Sequence, residues 1–149
     1  MKIGLVCYSG GHLYQLHILE EFWGKHDRFW VTFKKADALS LLKDERAYWA
    51  YHPATRNIRN LVRNSFLALK ILRRERPDVI VSTGAAVAVP FFYLAKLFRV
   101  KTVFIEVYDR IDKPTLTGRL VYPVADAFVI QWPEQKKAFP RGINIGQIL

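Results

Sequence analysis

The first chemically suggestive feature of the sequence is a glycine-rich turn near its beginning. Ser9, Gly10, Gly11 and His12 follow an apolar run of strand type and precede a segment of helical period. Glycines let a backbone approach a ligand closely, and the free N–H groups of a first helical turn attract negative charge. At the carboxyl end of a strand, His12 is a candidate general base. The alternative is that the glycines only make a tight turn.

A second turn of small residues, Ser82 to Ala86, follows the fourth predicted strand. In Rossmann strand order the first and fourth strands are neighbours, and ligands bind in the crevice between their carboxyl ends. We therefore expect Thr83 and Gly84 to lie beside the first turn and to share its ligand. Taken alone, the second turn would more often indicate close packing of a helix on a strand.

Glu106 is a carboxylate at the end of the fifth predicted strand, where burial is costly unless the charge is paired or used. It could form a structural ion pair with Arg110. It could instead accept a hydrogen bond from a substrate hydroxyl or orient His12, and Arg110 would then meet a phosphate or a sugar oxygen. Thr115 and Gly118, in the segment that follows, complete the candidate substrate-binding residues.

These residues need a scaffold, and the sequence predicts a Rossmann-like α/β fold in a single domain, residues 1–149. Short apolar runs alternate with segments of helical period, which indicates βαβ units, a parallel sheet and helices on both faces. The six runs are Lys2 to Tyr8, Arg28 to Phe33, Ala47 to Tyr51, Asp78 to Ser82, Lys101 to Glu106 and Asp126 to Gln131.

No cofactor or metal is expected. The dinucleotide and phosphate-loop glycine patterns are absent, and Lys34 and Lys35 end the second strand where a ribose-binding acid would stand. No pair of histidines has metal-ligand spacing. The single cysteine, Cys7, excludes an internal disulfide and suits the cytoplasm.

The net charge of +10 indicates an anionic partner, which could be nucleic acid, a phosphorylated substrate or an acidic membrane surface. Nucleic acid is disfavoured because the sequence carries neither a stacking platform nor a reading motif. The first residues are too short an apolar run for a signal peptide, so the chain is expected to keep its beginning.

One helix, Arg56 to Glu75, is expected to carry the membrane contact. Its apolar residues should form one face against the sheet: Ile58, Leu61, Val62, Ala68, Leu69 and Leu72. Arg59, Arg63 and Lys70 lie on the opposite side, which is either an ordinary solvated face or a site for anionic lipid headgroups.

The segment from Val79 to Ala95 is free of charges, and we interpret it as a strand, a turn and a helix because Gly84 and Pro90 interrupt it. Phe91 and Phe92, close to several cations, are expected to face the headgroup boundary. The alternative is that Phe91 and Phe92, or at least one of them, belong to the core.

Five motifs occur in a characteristic order: Ser9 to His12, Pro77 to Gly84, Glu106 with Arg110, Leu116 to Arg119, and Ala125 to Pro133. With them, nearly the whole chain resembles the acceptor-side, membrane-associated subunit of bipartite UDP-sugar transferases. That family includes the subunit of the eukaryotic enzyme that adds the second N-acetylglucosamine to dolichol diphosphate, and bacterial exopolysaccharide and capsule homologues. The chain is also similar to the N-terminal half of the peptidoglycan N-acetylglucosaminyltransferase.

The resemblance implies the N-terminal half of a GT-B glycosyltransferase. Such a subunit would bind a lipid-diphosphate-linked sugar acceptor, and a separate donor-binding subunit would complete a heterodimer that transfers a sugar from a UDP-sugar with inversion. His12 would be the base and Glu106 would orient it or the acceptor, while Ser9, Gly10, Gly11, Thr83 and Gly84 would shape the pocket. The alternative is a non-catalytic membrane scaffold that recruits and activates the catalytic subunit.

Two departures from the family qualify the resemblance. The eukaryotic subunit carries a membrane helix before the first strand, whereas here the first strand starts at Lys2. Membrane association is therefore expected to be peripheral, on the inner face of the cell membrane. Val107 stands where many relatives have a small hydroxyl residue after the Glu, which leaves the acceptor contacts open.

Overall fold

The computed structural model describes residues 1–54 and 56–148. Strands and helices alternate along the chain, as predicted. The elements are β1 (Lys2–Cys7), α1 (Gly11–His17), α2 (Glu20–Trp23), β2 (Asp27–Thr32), α3 (Ala36–Leu41), β3 (Ala47–Trp49), α4 (Ile58–Glu75), β4 (Val79–Gly84), α5 (Ala88–Leu97), β5 (Lys101–Ile105), α6 (Leu116–Val121), β6 (Ala127–Ile130), a 3₁₀ turn (Pro133–Lys137) and β7 (Ile143–Asn144).

The seven strands form one parallel sheet in the order β3-β2-β1-β4-β5-β6-β7. The order reverses between β1 and β4, and this divides the helices between the two faces. Residues of α1, α2 and α3 pack with Leu5 and Trp30 on one face, while α4, α5 and α6 pack with Val6 and Phe104 on the other. The predicted Rossmann-like sheet with helices on both faces is confirmed. The sheet also contains a seventh strand, the two-residue β7, which is not among the six predicted.

The first half of α4 differs from the prediction. Ala68 and Leu72 are buried as expected, but Ile58 is 80% exposed, and Leu61 and Val62 are exposed as well. The buried side chains there are Asn60 and Asn64. The asparagines face inward because their amides bind the backbone of the segment before the helix, so the apolar stripe turns outward.

Asn64 makes both of its hydrogen bonds to a single residue. Its Oδ1 accepts from Tyr51 N at 2.8 Å, and its Nδ2 donates to Tyr51 O at 3.1 Å. Asn60 Nδ2 donates to Pro53 O at 2.7 Å. These amides satisfy backbone groups that lie beyond the end of β3, and they tie the chain after β3 to the helix.

The expectation that Phe91 and Phe92 face a membrane is wrong. Both side chains are 0% exposed, and Phe92 meets Phe104 of the sheet edge to face, with ring centroids 5.9 Å apart. The reason is that α5 lies between α4 and α6 on the sheet, so neighbours cover more than one of its faces. The charge-free segment is indeed a strand, a turn and a helix. None of the helices in the described ranges is long and apolar enough to cross a bilayer.

The two bonds of Asn64 give a stability test. We expect Asn64→Ala to lower the free energy of unfolding by about 1–3 kcal/mol, because two part-buried hydrogen bonds to the backbone of Tyr51 are lost, each typically worth about 0.5–1.5 kcal/mol. Chemical denaturation measures this free energy. The matched control is Arg59→Ala, which changes an exposed residue on the same helix. Equal stability of the two variants would contradict this account of the inward-facing amides.

Candidate functional site

A β-bulge creates the centre of the site. β1 and β4 pair regularly as far as Val6 and Ser82, but the next pair joins Cys7 to Gly84. Thr83 is therefore an extra residue in β4, unpaired in the ladder at this point. Tyr8 N donates to Gly84 O at 2.9 Å beyond the bulge. The two small-residue turns thus meet at the carboxyl edge of the sheet, as predicted.

The unpaired Thr83 holds His12 through two hydrogen bonds. His12 Nδ1 lies 2.8 Å from Thr83 O, and Thr83 Oγ1 donates to His12 O at 2.7 Å. Gly84 makes room for the ring, since a Cβ there would lie 3.0 Å from the imidazole Cε1. Its φ of 118° is also one that residues with a side chain rarely adopt.

These contacts define the chemistry of His12. A carbonyl oxygen only accepts, so the Nδ1 atom carries the hydrogen and Nε2 keeps its lone pair. Burial lowers the pKa of His12 below 6.5; the Thr83 carbonyl and Asp109 oppose this shift, and Arg110 adds to it. The imidazole is therefore neutral near pH 7 and able to accept a proton at Nε2.

Glu106 has partners other than those the sequence left open. It is 0% exposed, its Oε1 accepts from Val107 N and Thr115 Oγ1, and its Oε2 accepts from Thr115 N. Burial raises the pKa of Glu106, against these hydrogen bonds and the charge of Arg110. The described side chains give it neither an ion pair nor a hydrogen bond to His12. The carboxylate instead ties Thr115, the N-cap of α6, to the end of β5.

Gly118 is required by this arrangement. Its N–H donates to Thr115 Oγ1 at 2.9 Å, and a Cβ at this position would lie 2.7 Å from Glu106 Oε2. Such a contact is closer than real Cβ atoms show, so a side chain would displace the carboxylate. Gly118 therefore leaves room for the Glu106 carboxylate that binds Thr115, and it does not line the pocket.

Sequence reasoning missed three buried glutamines that hold the same loop. Gln131 Nε2 donates to Gln15 Oε1 and to Glu106 O. Gln135 accepts from Gln131 N through Oε1, and its Nε2 donates to the carbonyls of Val107 and Arg110. Trp132 Nε1 donates to Tyr108 O. The available signal was the run of amide and indole side chains directly after β6.

The open pocket at this edge has a volume of about 320 Å³. Four of the predicted residues line it, namely Gly11, His12, Arg110 and Thr115, together with Gln15, Val107, Tyr108 and Asp109. Ser9 and Thr83 are buried, and Gly10 is exposed at the start of α1. In the described ranges no three His, Cys, Asp or Glu side chains are grouped to hold a metal ion.

The environment of His12 can be tested by NMR titration of its ring signals. We expect a pKa below 6.5, lowered further by Asp109→Asn, which removes a charge that favours the imidazolium, and raised by Arg110→Gln. His26, at the opposite edge of the sheet, is the internal control. Shifts of the same sign in both variants would overturn this assignment of the neighbouring charges.

The chain is similar to several known proteins. The family model described as "Oligosaccharide biosynthesis protein Alg14 like" matches residues 34–148. The human UDP-N-acetylglucosamine transferase subunit ALG14 is 26% identical over 90 residues, 56% of this chain and 42% of its own length. A UDP-N-acetylglucosamine–N-acetylmuramyl-(pentapeptide) pyrophosphoryl-undecaprenol N-acetylglucosamine transferase of Syntrophotalea carbinolica is 33% identical over 85 residues, 57% of this chain and 23% of its own.

Among solved structures, MurG of Acinetobacter baumannii superposes with a TM-score of 0.75 at 17% identity, over 90% of this chain and 43% of its own. At that identity the likeness concerns the fold, which corresponds to the N-terminal half of a GT-B glycosyltransferase. The chain spans less than half the length of each of these three proteins. Because the family model covers most of the sequence, the chain belongs to the Alg14-like family of oligosaccharide biosynthesis proteins.

Proposed function

We propose that the chain is the acceptor-binding subunit of a two-component inverting glycosyltransferase. It would transfer a sugar from a UDP-sugar to a lipid-diphosphate-linked sugar. One observation carries the proposal: the hydrogen bond from His12 Nδ1 to Thr83 O leaves a neutral Nε2 beside a pocket that Arg110 also lines. Membership of the Alg14-like family, and relatives whose names specify N-acetylglucosamine transfer, support it.

The chemistry follows from the state of His12. The acceptor hydroxyl oxygen attacks the anomeric carbon of the donor sugar from the face opposite UDP, while Nε2 takes the hydroxyl proton. The bond between the anomeric carbon and the UDP oxygen breaks, and UDP leaves with the electron pair. The Thr83 carbonyl and Asp109 favour the imidazolium that forms, because both raise the pKa of His12.

A separate donor-binding subunit is part of this proposal. The name of the human relative describes a transferase subunit, and one Rossmann-like sheet offers half of the two-domain cleft of a GT-B enzyme. We expect the chain alone to be inactive and to bind UDP-sugars weakly. The alternative function is a non-catalytic scaffold that recruits and activates the partner, and a substitution at His12 separates the two.

In the reconstituted pair, we expect His12→Ala to lower kcat by about 10²- to 10⁴-fold, the usual loss with a general base. Pull-down of the partner should be unchanged. His26→Ala is the matched control and should keep wild-type turnover. Turnover of His12→Ala within a few-fold of wild type, with partner binding intact, would favour the scaffold.

We further propose a peripheral site on the inner face of the cell membrane, on the outer side of α4. Arg59 and Lys70 are exposed there, and the Arg63 guanidinium lies 3.9 Å from the Tyr51 ring centroid. The apolar stripe of this helix also faces outward: Ile58, Leu61, Val62 and, at 68% exposure, Phe66. Cations beside exposed apolar side chains suit a headgroup boundary with anionic lipids.

Liposome co-sedimentation tests the membrane site. We expect binding to require anionic lipid, to weaken with salt, and to fall when Arg59, Arg63 and Lys70 are all changed to Glu, since each cation contributes roughly 1 kcal/mol. The matched control changes three exposed lysines elsewhere, Lys25, Lys43 and Lys136, to Glu. Equal losses in both triple variants, or equal binding to neutral liposomes, would contradict a specific site on α4.

A further inference from the structure

A second polar cluster lies at the same edge of the sheet, outside the His12 pocket. Tyr8 follows β1, Lys35 follows β2 and His52 follows β3. These three strands are adjacent in the sheet, so the three residues lie together at its carboxyl edge. Lys35 Nζ donates to the Tyr8 hydroxyl at 3.1 Å, and His52 Nε2 lies 2.9 Å from the same oxygen. Lys35 also lies over the Tyr8 ring, 5.1 Å from its centroid.

The ammonium of Lys35 gives this cluster its polarity. An ammonium only donates, so the Tyr8 oxygen accepts from Lys35. The same oxygen shares a hydrogen bond with His52 Nε2. Lys35 keeps two further N–H groups. The cluster therefore offers free donors to a ligand, which selects for an acceptor-rich anion.

The charges around the cluster favour the same class of ligand. Lys34, Lys35 and Arg56 take part in none of the ion pairs formed by the described residues. The acid nearby, Asp37, accepts a hydrogen bond from Gly10 N at 2.6 Å. A carboxylate thus already occupies the N–H group that the glycine turn was expected to offer to phosphate. Besides Arg110 of the His12 pocket, the Lys35 cluster therefore offers a cationic position at this edge.

We propose that Tyr8, Lys35 and His52 bind the diphosphate of the lipid-linked acceptor; this inference rests on the proposed function. A diphosphate could also come from the UDP donor, and the surface beside the cluster favours the acceptor. Ala54 and Arg56, which follow His52 closely, line an apolar groove of about 610 Å³ between α4, α5 and α6. A prenyl chain attached to the diphosphate is apolar and could bind in that groove. The nucleoside of UDP is polar and would gain little from an apolar groove.

The closing experiment measures binding to the chain by calorimetry, with geranyl diphosphate and UDP as separate probes. We expect geranyl diphosphate to bind more tightly than UDP. Lys35→Met should weaken its binding about tenfold, the effect of losing one charge-assisted hydrogen bond. Tyr8→Phe, which removes the hydroxyl that aligns Lys35 and His52, should weaken it as well. Lys43→Met, an exposed lysine just after α3, is the matched control and should bind like wild type.

His12→Ala separates this inference from the proposed function. If it abolishes turnover and keeps geranyl diphosphate binding, both stand; if it keeps turnover and binding, the catalytic role fails and the diphosphate site stands. Failure to bind geranyl diphosphate, tighter binding of UDP, or equal losses in Lys35→Met and Lys43→Met would overturn the site. In the reconstituted pair, Lys35→Met should raise the KM for acceptor and leave kcat within a few-fold.

Discussion

The pair of hydrogen bonds between His12 and Thr83 is the interaction on which the site depends. It joins the turn after β1 to the bulge in β4, the two strands between which the sheet reverses its order. The same contact fixes the ring and selects the tautomer, and the Thr83 carbonyl opposes the lowering of the His12 pKa that burial causes. The position of the ring and the location of its hydrogen therefore share one structural cause, and burial sets the direction of the pKa shift.

The opposite wall of the pocket, the loop after β5, is held by buried side chains that bind its backbone. There the loop after β5 carries Asp109 and Arg110, and backbone groups of that loop are held from below by buried side chains. Glu106 and Gln135 supply most of these contacts, and neither reaches the ligand side. Because both side chains are buried, their oxygens and amide need hydrogen-bond partners, and these partners give the loop a defined shape.

The sequence predicts the sheet well because its strands are apolar and β-branched and their order follows from βαβ rules. It also predicts the meeting of the two turns, which topology requires. It fails for the first half of α4, because Asn60 and Asn64 bury amides that bind the backbone, whereas periodicity counts only apolar residues. It fails for Phe91 and Phe92, because burial of a central helix depends on both neighbours. The pairing of Gln15 with Gln131 leaves no local pattern, since 116 residues separate them.

The bulge at Thr83 has an evolutionary consequence. A regular β4 would pair Cys7 with the residue after Ser82, and the ladder would lose nothing by it. Both hydrogen bonds that tie His12 to β4 thus come from one inserted residue. Loss of Thr83 would remove them and leave the pairs of β1 and β4 up to Val6 and Ser82 in place, so the scaffold and the candidate site can vary separately in evolution.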